Sequence, residues 1–166
     1  MKLISFQIKH YKSIIDTSTV ILSGNDNITV LAGQNESGKS SVLEALNAYE
    51  TNNFESDSKP FTTKGALIQN VSCTYEVEDL KGFIDQLTDG FKSEYEIALP
   101  EGETLFDEKK LKALKYFTLT RSFPNAEGKT TLEINKDALE IVKAAILEKE
   151  VEEDKQNEDG TVEKRK

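Results

Sequence analysis

Gly33-Gln34-Asn35-Glu36-Ser37-Gly38-Lys39-Ser40 places two glycines five positions apart and follows them at once with a lysine and a serine, the pattern G-x-x-x-x-G-K-S. Glycines admit backbone conformations that a Cβ forbids, so successive N–H groups can turn inward and surround anionic oxygens. A helix that starts here adds its unpaired donors and ~0.5 of a positive charge. Lys39 is then placed to reach the β- and γ-phosphates of a nucleotide. The Ser40 hydroxyl is placed to complete the shell of a Mg²⁺ whose other ligands are phosphates and waters. The chemistry implied is binding of a nucleotide with Mg²⁺. The competing reading, a chance glycine turn beside a solvated lysine, must account for four matched positions and for flanking elements of the required kind.

Those flanking elements are a strand and a helix. Ile28-Thr29-Val30-Leu31-Ala32 reads as a buried strand, and Ser41 to Tyr49 puts Val42, Ala45, Leu46 and Tyr49 on one helical face. Upstream, Ile4, Phe6 and Ile8 alternate with Ser5, Gln7 and Lys9 as in a half-buried strand, Ser18 to Leu22 forms a second strand, and Gly24 to Asn27 is the turn that returns the chain to the third. Downstream, Asn52 to Lys64 reads as a loop, Leu67 to Val77 as a strand, Glu78 to Phe91 as an amphipathic helix, Glu94 to Leu99 as a further strand and Asp107 to Lys115 as a short helix. Tyr116 to Phe123 and Thr130 to Ile134 flank a Pro-Asn-Ala-Glu-Gly turn as a hairpin. Asp137 is placed to cap a last helix through Ala138, Leu139, Val142, Ala145 and Ile146.

The chain has 166 residues, enough for one domain with a sizeable core and too few for two ordinary ones. Residues 1–147 are expected to form a single unit, and 148–166 a charged, frayed or disordered tail. No stretch approaches the roughly 20 apolar residues of a membrane span, and the N-terminus leads straight into a strand pattern, so a cytoplasmic location is expected. The net charge of −9 argues against strong electrostatic binding of nucleic acid by this chain alone. Its single cysteine, Cys73, sits in a strand pattern and reads as a small core residue rather than a nucleophile.

The opening Leu3 to Ile14, the strand Asn27 to Leu31 and the run Gly33 to Leu46 together resemble the N-terminal lobe of ABC-type ATPases. Within these, they resemble the SMC, RecF and OLD-nuclease branch of DNA repair, chromosome maintenance and phage defence. Tyr11-Lys12-Ser13 matches the aromatic-basic-serine motif that precedes the phosphate loop in that branch. The resemblance implies an α/β fold: a P-loop NTPase N-terminal lobe with a mixed sheet, an antiparallel β-subdomain, a Walker A helix and a C-terminal helix. Carried over by position, Gly33, Gln34 and Asn35 through Ser41 would wrap the phosphates, with Lys39 on the γ-phosphate and Ser40 on Mg²⁺. Lys12 would add a phosphate contact, against its reading as a solvated lysine, and Thr63 and Lys64 would lie beside the nucleotide, against the same plain reading. Glu36 stands where glycine is commoner, and is read as a branch marker.

The resemblance also says what is missing. Such families supply a second Mg²⁺ contact and a base from a Walker B strand near their C-terminus, after a Ser-Gly-Gly signature, and neither occurs here. Ala144-Ala145-Ile146-Leu147-Glu148 ends in an acid but has helical periodicity, and Gly128-Lys129-Thr130 lacks the upstream glycine. Gln69, Gln86 and Gln156 offer no convincing γ-phosphate sensor. The chain thus reads as half of an ATPase that binds without appreciable turnover. Its expected partner is a C-terminal lobe, in the same chain or a separate one, with ATP-dependent homodimerisation in the complete protein and DNA reached only indirectly. Two other classes remain open: a small P-loop kinase for a nucleoside or metabolite, and a nucleotide-dependent assembly module that does not hydrolyse.

Overall fold

The computed structural model describes residues 1–24, 28–34, 38–54, 58, 67–95, 105–123, 129–147, 155–156 and 162–163. Its centre is β1, Lys2–Tyr11. One edge of β1 pairs with β2 (Ile14–Asp16) and β3 (Val20–Ile21), the other with β4 (Gln69–Glu76). The sheet continues through β5 (Tyr116–Phe123) to β6 (Thr131–Ile134), in the order β2-β1-β4-β5-β6. The alternation read in β1 is realised: Phe6 faces Cys73 and Ile8 faces Val71 across the ladder, and all four are buried. On the opposite face of β4 and β5 run hydroxyl pairs, Ser72–Thr120 at 2.8 Å and Thr74–Thr118 at 2.9 Å, so the sheet has one apolar and one polar side.

Among the described residues, four helices flank the sheet: α1 (Lys39–Thr51), α2 (Leu80–Tyr95), α3 (Glu108–Leu111) and α4 (Lys136–Ala145). Helix α1 lays Ala45, Ala48 and Tyr49 against Phe6, Ile8, Val71 and Cys73, forming one core with Tyr11 and Phe54. Phe54 meets Tyr11 edge-on and stacks on Phe123 with centroids 5.9 Å apart. A second core gathers Phe83 and Ile84 of α2, Leu111, Phe106, Phe117 and the small Ala138 and Ala145 of α4. Tyr75 and Leu119 pack against both. Lys155–Gln156 and Val162–Glu163 pair as a separate antiparallel ribbon, β7 and β8. Among the described residues, no helix is long and apolar enough to cross a membrane.

Several expectations are corrected. Every strand pairing among the described residues is antiparallel, so the mixed sheet is not seen. The reason lies in Ile28 to Ala32, which forms no strand; Ile28 is 65% exposed and Val30 80% exposed. Extended backbone becomes a strand only where a neighbour accepts and donates ladder hydrogen bonds. Glu94 and Tyr95 end α2 rather than beginning a strand, and 96–99 lie outside the described residues. The N-cap of α4 is Asn135, not Asp137, although Asn135 spends its side-chain oxygen on the Thr118 N–H at 2.7 Å; Asp137 sits in the first turn, where its charge suits the helix dipole. Helix α4 stops at Ala145 because Ile146 bridges to Phe106 and Leu147 N–H donates to Leu105 O.

Candidate functional site

Helix α1 begins directly at Lys39, behind Gly38 in the left-handed region at φ +86°. A Cβ at Gly38 would also lie 3.3 Å from Ser13 Oγ, so both backbone conformation and space favour glycine here. No acidic residue occupies the first turn of α1, so nothing on the helix itself offsets the partial positive charge of its N-terminus. Ser40, on that turn, is exposed. Lys39 Nζ donates to Gly33 O at 2.8 Å and to Gln34 O, folding the ammonium across the start of the loop and holding its two ends together. Gly33, Gln34, Gly38, Lys39, Ser40 and Ser41 therefore meet at one helix end. Asn35, Glu36 and Ser37 lie outside the described residues, as do Thr63 and Lys64.

The first hairpin reaches this site from the sheet. Tyr11 pairs with Ile14, leaving Lys12 and Ser13 as the two-residue tip, and Lys12 takes the left-handed conformation at φ 49°. Ser13 Oγ lies 3.5 Å from Ser41 Oγ on the first turn of α1. Lys12 behaves differently from its neighbour: its ammonium is ion-paired with Glu44, one turn further along the helix. Its N–H donates to Ser58 O at 2.6 Å, and Ser58 is held in turn by the fully buried Gln69, whose Nε2 donates to Ser58 O at 2.7 Å and to Ser58 Oγ at 2.8 Å. Sequence reasoning overlooked Ser13 and Glu44 as site residues. The available signals were the third position of Tyr11-Lys12-Ser13 and the four-residue step from Ser40 to Glu44, which puts both on one helix face.

Other candidates lie elsewhere. Arg121, the one arginine in the body that could clamp a transferring phosphoryl group, donates from Nη1 to Asn52 Oδ1 at 3.0 Å and sits over the Tyr49 ring. That is the far end of α1, about 18 Å from Ser40 at the rise of an α-helix. Cys73 is buried, and burial pushes its thiol up to about 11, so it is a neutral core group rather than a nucleophile. Burial likewise pushes the Tyr49 phenol up, with the Tyr75 hydroxyl adding to the effect.

Among the described residues, no cluster of three His, Cys, Asp or Glu side chains could hold a metal. Among the described residues at the loop, Ser40 on the exposed first turn carries a hydroxyl, a hard oxygen that suits Mg²⁺, a metal that would take most of its shell from phosphate oxygens and water. A serine in that place fits a metal that would arrive with its nucleotide. Comparison with protein families matches an AAA ATPase domain over residues 1–166. A search among curated proteins finds no match.

Proposed function

The chain belongs to the AAA ATPase domain family, and from that premise we propose that it is the ATP-binding lobe of an SMC/RecF/OLD-like ATPase serving DNA repair, DNA maintenance or phage defence. Family membership supports nucleotide binding and ATPase activity. In the reading proposed here, Gly33 to Ser41 wrap the phosphates, Lys39 moves from the Gly33 and Gln34 carbonyls to the β- and γ-phosphates, and the Ser40 hydroxyl holds Mg²⁺. The metal supplies charge neutralisation on the phosphate oxygens. Ser13 supports Gly38 and Ser41 from behind. Hydrolysis awaits a C-terminal lobe with the Walker B acids and the signature, and the complete protein dimerises with ATP.

The observation that carries the second half of this reading is the state of Ile28 to Ala32. The segment has the composition of a buried strand and runs straight into the loop, yet Ile28, Val30 and Leu31 are exposed. Fully burying one such side chain is worth about 1.5–3 kcal/mol, so Ile28 and Val30, largely in water beside the proposed nucleotide site, favour a strand from another lobe as their cover. Arg121 at the far end of α1 weighs against the kinase alternative, which needs an arginine clamp on the transferring phosphoryl group.

Calorimetric titration with Mg-ATP tests the site. Lys39→Ala is expected to weaken binding at least ~10-fold, since a hydrogen bond to a charged group contributes about 1.5–3 kcal/mol. Equal and measurable binding by both proteins would sink the assignment. Steady-state ATP turnover by the isolated chain is expected to be negligible, and sustained turnover would contradict the need for a second lobe.

A further inference from the structure

Among the described residues, two cationic side chains lie at the loop, and their surroundings differ. Lys39 is held by carbonyls of the loop itself, whereas the Lys12 ammonium is held by the Glu44 carboxylate. The backbone from which Lys12 projects is fixed: its left-handed conformation is pinned by the hydrogen bond to Ser58 O, and the buried Gln69 amide locks Ser58. Its neighbour Ser13 reaches Ser41 on the first turn of α1. Glu44 stands four residues beyond Ser40, a displacement of about 6 Å along the helix axis. A change of side-chain torsions, with no backbone movement, thus carries the ammonium between Glu44 and the helix end where the phosphates sit. The side chains of the pair are 32% and 47% exposed, and a pair so solvated is weak enough to exchange partners.

We propose that Glu44 is a positioning residue that competes with the terminal phosphate of the nucleotide for the Lys12 ammonium, and so sets both ATP affinity and the preference for ATP over ADP. The inference rests on the reading of the loop as an ATP site. When Lys12 leaves Glu44, one ion pair is exchanged for another with a more highly charged anion at the positive end of α1. Removing the carboxylate charge while keeping its shape removes the competitor, so the effect is a gain of affinity, which loss of packing cannot produce.

The test is a double-mutant cycle of Kd for Mg-ATP and Mg-ADP with wild type, Glu44→Gln, Lys12→Ala and the double variant, with circular dichroism to establish that each is folded. Glu44→Gln is expected to tighten ATP about two- to five-fold, the scale of one surface ion pair, and ADP less. Lys12→Ala is expected to weaken ATP more than ADP, and to abolish the gain from Glu44→Gln. Unchanged or weaker ATP binding by Glu44→Gln overturns the proposal. So does a gain that survives undiminished with Lys12→Ala, because simple relief of negative charge would then explain it. If wild type binds ATP and Glu44→Gln is silent, only this inference fails; if wild type does not bind ATP, the ATP-site reading fails with it.

Discussion

Two short stretches of similar chemistry come to opposite ends in this molecule. Val71-Ser72-Cys73 in β4 lies between β1 and β5, hydrogen-bonded on both edges, with Val71 and Cys73 fully buried under α1. Ile28-Thr29-Val30-Leu31 has more β-branched and apolar character, yet it makes no ladder, and Val30 is 80% exposed. β-Propensity describes fitness for a pleated, half-buried surface, and the surface must be supplied by neighbours. Strand β4 finds them within residues 1–123. The segment before the loop finds none among the described residues, and it is this segment that feeds the proposed nucleotide site.

The comparison is broken most directly by placing the same charge in both stretches. Val71→Asp is expected to cost more than about 4 kcal/mol, because it buries a carboxylate with no partner, while Val30→Asp is expected to stay within about 0.5 kcal/mol. Urea denaturation of both variants checks this, and equal losses would mean that Val30 is already packed in the isolated chain. A second, smaller effect sharpens the β4 side. The folded protein holds the Cys73 proton up to about 11, whereas the unfolded chain releases it near an ordinary 9.0. The contribution of this group to stability is thus complete below about pH 8.5 and is lost as pH rises toward 11, by roughly 2 kcal/mol. Unfolding curves between pH 7 and pH 10.5 should show wild type losing more stability than Cys73→Ala; parallel curves would refute a buried, neutral thiol. The smallest effect concerns the loop end that is packed, in contrast to its exposed approach. Gly38→Ala is expected to cost about 1–2 kcal/mol from the left-handed backbone, with Ser13 displaced by a few tenths of an ångström. Adding Ser13→Gly should recover the contact but not the backbone cost, and full recovery by that second change would assign the whole effect to crowding.

Patterns of short range were legible in the sequence. The alternation in β1, the buried face of α1, the amphipathic α2 and the β5–β6 hairpin follow from side-chain periodicity, and the loop follows from residue types at fixed spacing. What failed were properties that depend on a distant partner. The strand expected at 28–32 needed a neighbour, the cap expected at Asp137 lies two residues earlier at Asn135, whose side-chain oxygen accepts from the distant Thr118 N–H, and the helix read through Ile146 was ended by the bridge to Phe106. Arg121 pairs with Asn52 across 69 positions of chain, a separation invisible to local patterning.

From residue order alone came the proposed nucleotide loop, the glycine that precedes its helix and the lysine proposed to answer phosphate, since these are set by steric rules and charge within eight residues. Folding in three dimensions decided the rest of the site. It brought Ser13 to Gly38 and Ser41 and Lys12 to Glu44, and it locked Ser58 under Gln69. It also left Ile28 and Val30 in water. Ser13–Ser41 and Lys12–Glu44, 28 and 32 positions apart, depend on how the hairpin crosses the helix, and exposure depends on which surfaces remain uncovered. Neither quantity is a function of local sequence.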